Sequence, residues 1–111
     1  MINVEGRSER EIVRRIRETL NAIPDVRFFR NNCGVDTTRG VRYGLGVGSA
    51  DLIGLVAGKF VALECKTMKG RLSDDQRLWM AAVRRLGGVA EVVRSVEEAL
   101  AVVQRVRESI S

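Results

Sequence analysis

An α/β fold with a mixed sheet flanked by helices, in the order α-β-β-β-α-β-α, is predicted by three features of the chain. Apolar residues recur at helical spacing in three stretches, each opened by a serine. Short apolar runs of strand character lie between them. Two of these runs, Leu52 to Ala57 and Phe60 to Leu63, are split only by Gly58-Lys59, a pair suited to a two-residue hairpin turn with Gly at its first central position. The strand-helix-strand order of the second half calls for a right-handed crossover between parallel strands, so the sheet is mixed.

Ser8-Glu9-Arg10-Glu11 fits a capping box and opens a helix running to about Leu20. Its apolar stripe is Ile12, Val13, Ile16 and Leu20. At 100° per residue Glu9 falls near the middle of that stripe, and Glu11 points almost opposite. An inward carboxylate needs a partner, which a cation or an arginine can supply. The plainer alternative is that Glu9 only favours the helix macrodipole. Pro24 closes this segment, and Val26 to Arg30 reads as a strand. From Asn31 to Ser49 the periodicity is lost, and five glycines mix with Arg39, Arg42 and Tyr43. This is a basic loop, either a contact for a phosphate backbone or an ordinary connection.

Lys69-Gly70-Arg71 makes a basic turn. Ser73-Asp74-Asp75-Gln76 is a second capping box, opening a helix whose packing face is Leu78, Trp79, Ala82, Val83 and Leu86. Gln76 either caps this helix or positions a water or a phosphate, and spacing alone favours the cap. Gly87-Gly88 stops the helix, and Val89 to Val93 is a buried-type strand. Ser95-Val96-Glu97-Glu98 caps a last helix with Ala99, Val103, Val106 and Ile110 on its inner face.

Side chains alternate along a strand, so Glu64 and Lys66 share one face of the second hairpin strand, while Val61, Leu63 and Cys65 take the other. With Gly58-Lys59 as the turn, Ala57 pairs with Phe60 and Asp51 stands opposite Lys66, on the same face as Glu64. Two acids and a lysine at the end of a hairpin can hold a hard divalent cation and activate water. The alternative is that Asp51 caps the hairpin and Glu64 with Lys66 is a surface ion pair, worth under about 1 kcal/mol.

Composition narrows the chemistry. At 111 residues, 45% of them hydrophobic, the chain is expected to fold as one domain over residues 1–111. Lys plus Arg exceed Asp plus Glu by 19 to 14, and a net charge of +5 favours a polyanionic partner. There is no histidine, and Cys33 and Cys65 form no CxxC pair, which leaves carboxylates as metal ligands and argues for reduced thiols. No secretory segment or membrane-length apolar run is evident, so a cytoplasmic protein without membrane contact is expected. Gly44-Leu45-Gly46-Val47-Gly48 is followed by a strand and is no dinucleotide fingerprint, and no organic cofactor is expected.

Gly48-Ser49-Ala50-Asp51-Leu52-Ile53 followed by Leu63-Glu64-Cys65-Lys66-Thr67 resembles the motif of the PD-(D/E)xK nucleases, with Ala50 where the proline often stands. The segment Gly70 to Gln76, an apolar helix, Gly87-Gly88 and Val92-Val93-Arg94-Ser95 resembles the second half of stand-alone VRR-NUC proteins of phages and bacteria. Glu9-Arg10-Glu11-Ile12 and Phe29-Arg30 are similar to the corresponding parts of archaeal Holliday-junction resolvases. The resemblance implies a restriction-endonuclease-like fold and a Mg²⁺- or Mn²⁺-dependent DNA endonuclease. It makes Asp51, Glu64 and the backbone carbonyl of Cys65 the metal ligands, joined by Glu9 directly or through water. Lys66 would orient or deprotonate the attacking water, and Gln76 would support it. Arg10, Arg30, Arg39, Arg42, Lys69 and Arg71 are the candidates for gripping DNA. Resolution of four-way junctions needs two symmetric cuts, hence a homodimer. A nuclease of flaps, nicks or single strands is the nearest alternative, and a DNA-binding or assembly module without turnover is the alternative of a different class.

Overall fold

In the computed structural model, which describes residues 8–110, the Ser8 hydroxyl accepts the Glu11 N–H and starts α1 (Glu9–Leu20). The expected stripe of Ile12, Val13, Ile16 and Leu20 is buried. The Asn21 side chain then exchanges two hydrogen bonds with the Phe28 backbone, at 2.7 and 3.0 Å, and aligns β1 (Val26–Arg30) under the helix.

The stretch expected to be an unstructured loop carries a small ribbon, β2 (Gly34–Asp36) and β3 (Val41–Tyr43). The Asp36 carboxylate accepts the N–H groups of Thr38 and Arg39, and Gly40 turns at φ +68°, so an Asx turn closes it. Strands of three residues are too short to display a period, and the element order gains two strands over the expected one. There follow β4 (Leu52–Val56), β5 (Lys59–Cys65), α2 (Asp74–Arg85), β6 (Val89–Val93) and α3 (Val96–Ile110). The main sheet runs β1-β4-β5-β6, antiparallel except for the parallel β5–β6 pair, so it is mixed as expected. No helix among the described residues is long and apolar enough to cross a membrane.

The hairpin register departs from expectation. Val56 pairs with Lys59 and Leu55 with Phe60, so the turn residues are Ala57 and Gly58 rather than Gly58 and Lys59. Both have positive φ, +48° and +87°, which is the type I′ geometry that matches the strands' twist. Continuing this register one step beyond Leu52↔Leu63 sets Asp51 across from Glu64, not Lys66. The partner has moved by two positions, and an even shift keeps every side chain on its face. Ala57 is exposed and strained, whereas Asn tolerates the left-handed region. Ala57→Asn should therefore stabilise the fold by about 1 kcal/mol, read as a higher denaturant midpoint with cleavage unchanged.

Helices cover both faces of the sheet. Against α1 and α3 lie Val61, Leu63, Cys65 and Val93, all fully buried. On the other face Met80 of α2 packs with Ala50, Ala62 and Ala90, whose small side chains admit the helix closely. The packing face expected for α2 is corrected here: Leu78 is 70% and Leu86 81% exposed, and the inward positions are Gln76, Trp79, Met80 and Val83. The helix is rolled so that its first turn offers Gln76 to the sheet. It covers the β5–β6 side, and Phe29 and Leu55 of the β1–β4 side stay exposed. In α3 the inner face is Ala99, Val102, Val103 and Val106, while Ile110 at the helix end is exposed. Arg84 reaches from α2 to donate two hydrogen bonds, at 3.0 and 2.7 Å, to the Ala90 carbonyl of β6.

Candidate active site

Asp51 stands immediately before β4, held by its neighbours' backbone. Asn31, at the end of β1, donates its N–H to the Asp51 carbonyl at 2.8 Å and its side-chain amide to Ala50 O and Ser49 Oγ. Across the hairpin each acid accepts a main-chain N–H from the opposite side. The Asp51 N–H donates to Glu64 Oε1 at 3.2 Å, and the Cys65 N–H donates to Asp51 Oδ2 at 2.9 Å. A register with Asp51 directly opposite Glu64 is what makes this exchange possible.

Glu64 is only 2% exposed, so the surface ion pair considered from sequence is not what forms. Its Oε2 receives the Gln76 side-chain amide at 2.5 Å and lies 3.5 Å from the Lys66 ammonium, itself largely buried. Gln76 forms the expected cap, and the other end of its side chain meets Glu64. Its Oε1 accepts the Ser73 N–H while its own N–H donates to Ser73 Oγ, completing the capping box, and its Nε2 is left to orient Glu64.

Burial pushes the Glu64 carboxyl up to about 8, and the Asp51 charge and a side-chain hydrogen bond with Asp51 push the same way. Lys66 and the Asp51 N–H pull it down without compensating. Burial beside the Asp51 charge thus favours the protonated form of Glu64, the effect expected where like charges meet in a poorly hydrated place. An all-oxygen donor pair whose second negative charge is unfavourable fits a hard divalent cation in the proton's place.

Among the described residues no three His, Cys, Asp or Glu side chains already form a metal-holding group. Glu9 is half-buried in the first turn of α1. Its charge reaches the Cys65 thiol, raised chiefly by burial and then by Asp51, Glu64 and Glu9, with Arg30 opposing. Glu9 and Arg30 therefore both act at the end of β5 that carries Glu64 and leads into Lys66.

Arg10, Arg30, Arg39, Arg42, Lys69 and Arg71 are all exposed. Arg30 donates to the Asn32 side chain at 3.0 Å, and Arg39 pairs with Asp36 at 3.8 Å. Cys33 and Cys65 are free thiols. Sequence reasoning gave no role to Arg94 or to the Asn31 side chain. The Arg94 guanidinium donates to the carbonyls of Thr67 and Gly70, the latter at 2.8 Å, and so clamps the turn that leaves β5. Gly70 lies against the Lys66 stem, where an added Cβ would sit 3.3 Å from Lys66 Cβ and Cδ. This turn fixes where the ammonium ends. An Arg just past β6 is the only sequence signal for the clamp, and its partners lie more than twenty residues away.

A clasped acid pair, a lysine and an orienting amide at the mouth of a hairpin can bind a cation and bring a phosphate and a water together. The family model for the VRR-NUC domain matches residues 3–97. No curated protein matches the chain. With the match covering most of its length, the chain belongs to the VRR-NUC domain family, nuclease domains of the PD-(D/E)xK type.

Proposed function

We propose that this nuclease domain is a divalent-metal-dependent endonuclease of branched DNA that resolves four-way junctions as a homodimer in the cytoplasm of a bacterial or phage-infected cell. The observation that carries the metal-dependent chemistry is the buried Asp51–Glu64 pair with Lys66 and Gln76 on the same carboxylate. In this reading Asp51, Glu64 and the Cys65 carbonyl hold Mg²⁺ or Mn²⁺, with Glu9 contributing directly or through water. The bound cation supplies an acidified water and a counter-charge for the phosphate. Lys66 brings its ammonium to the attacking water and stabilises the charge that grows on the phosphoryl oxygens. Gln76 is a positioning residue, holding the Glu64 carboxylate in one orientation.

Exposed Arg10, Arg30, Arg39, Arg42, Lys69 and Arg71 take the DNA backbone on either side of the cut. A single chain offers one such site, and a junction needs two symmetric nicks, so the active form is a two-fold dimer. The open apolar face with Phe29 and Leu55 favours self-association. The test is cleavage of a synthetic four-way junction beside linear duplex, flap and single-strand controls, with Mg²⁺, Mn²⁺ or chelator, together with the mass in solution. Paired symmetric nicks that need metal, from a dimer, are expected. Preference for flaps or single strands, or a monomer at working concentration, overturns the junction reading and leaves the nuclease chemistry intact.

A further inference from the structure

The β2–β3 ribbon and the loop after it are unlike the rest of the surface. Val35, Val41, Tyr43, Leu45 and Val47 are each about half exposed, within a segment that also carries Arg39 and Arg42. A cleft of about 220 Å³ here is lined by Val35, Arg42, Tyr43 and Val47 among others. That is room for one planar base and too little for a larger ligand. Tyr43 pairs with Gly34 across the ribbon and lies so close over it that any side chain at position 34 would strike the phenol. The glycine thereby gives the ring a seat.

The segment is tied to the catalytic acid. Asn31 accepts the Leu45 N–H at 3.3 Å on the same side chain that donates to Ser49 and Ala50, and its backbone bonds Asp51. At the far end of the loop Gly48, at φ +81°, lies directly against the Asp75 backbone in the first turn of α2, where no Cβ would fit. The ribbon is thus tethered through Asn31 to the residues that lead into Asp51. An aromatic residue, exposed aliphatic residues and two arginines gathered on one segment beside the acid pair suit a nucleobase flanked by phosphates.

We propose that the β2–β3 ribbon captures one unpaired base of the substrate, stacked on Tyr43 with Arg42 and Arg39 on its flanking phosphates, and so directs the nuclease to DNA with an unstacked nucleotide beside the cut. The proposal rests on the nuclease reading of the Asp51–Glu64 site, and it adds the feature by which that site selects its DNA. Base stacking on an aromatic tolerates any sequence, so the selectivity is for structure.

The test separates base capture from cutting. Binding is measured in chelator, in the cleavage-silent Glu64→Gln background, to a junction, a single strand and a blunt duplex. Tyr43→Ala is expected to weaken binding to the junction and the single strand roughly ten-fold and to leave the duplex within about two-fold, while Tyr43→Phe binds as the parent. Arg42→Ala is expected to weaken all three and to lower the salt dependence. Photocrosslinking of 5-iodouracil beside the branch should mark the peptide with Tyr43, and the same base in duplex should not. Equal effects of Tyr43→Ala on all three DNAs, no effect, failure of Tyr43→Phe to restore binding, or no DNA binding by the parent overturns the proposal. Metal-dependent cleavage by the wild-type chain, assayed separately, decides the nuclease reading whatever the crosslink shows.

Discussion

Metal-free protein is expected to lose stability as the pH rises from about 5 to about 8, the reverse of the behaviour of an ordinary salt-bridged acid. The Glu64 carboxyl is raised from its usual 4.5 to about 8 by burial and by Asp51. Between those values the folded chain holds a proton that the unfolded chain has released. Stability therefore falls with rising pH across that window, and the contribution is complete only below about 4.5. The expected loss is roughly 2–4 kcal/mol, enough to move a domain of this size by ten degrees or more in thermal midpoint. Glu64→Gln removes the slope, because the amide cannot titrate. Its absolute stability at low pH is a separate matter, since one oxygen that accepts from Asp51, Gln76 or Lys66 becomes a donor. Added Mg²⁺ should restore the wild type at pH 8 and leave Glu64→Gln where it was, through binding to the folded state alone. Thermal melts at several pH values, with and without metal, check all of this. A wild-type midpoint flat from pH 5 to 8 would show that Glu64 is ionised throughout. The same substitution should lower cleavage at least about a thousand-fold, as expected when a ligand of a catalytic cation is lost.

Gln76→Glu separates the two jobs of one side chain. Glu is as good as Gln in the third position of a capping box, so it keeps the bond from the Ser73 N–H and the start of α2. Its second oxygen would face Glu64 Oε2 where the amide nitrogen now sits, acceptor against acceptor. The expected result is stability close to wild type at pH 5 and cleavage lower by about 10–100-fold, the usual loss when a residue that orients a ligand is removed. Gln76→Ala should lose both, with about 1 kcal/mol from the cap. Steady-state cleavage and denaturant midpoints measured on the two variants decide it. Wild-type cleavage by Gln76→Glu would reduce Gln76 to a helix cap.

What the sequence disclosed and what it hid follow from the range of the interactions. Ser8, Ser73 and Ser95 mark the three helix starts because each accepts an N–H three residues on, a wholly local event. β1 and β6 begin and end where their apolar runs do. The hairpin turn was misplaced because Gly58 suits a positive φ wherever it stands, and nothing about Ala57 announces that it takes one too. The face shared by Asp51, Glu64 and Lys66 survived that error since the shift was even. Leu78 and Leu86 looked buried because a helical wheel cannot know how far α2 rolls to deliver Gln76. Asn31 and Arg94 were silent for a related reason. Their partners are largely backbone groups distant in sequence, and no pattern of residue types records a backbone group.

The two margins of the sheet bear on how copies of this protein can meet. Among the described residues no strand pairs with the outer side of β1, and its exposed Arg27 and Arg30 bring positive charge to any identical strand that approaches. At the opposite margin the Ala90 carbonyl of β6 is already occupied by the Arg84 fork. Strand-to-strand joining, the route by which small sheets grow into fibres, is thus discouraged at both ends. Contact between copies is thereby favoured through side chains on the faces, which suits a finite pair better than an endless ribbon.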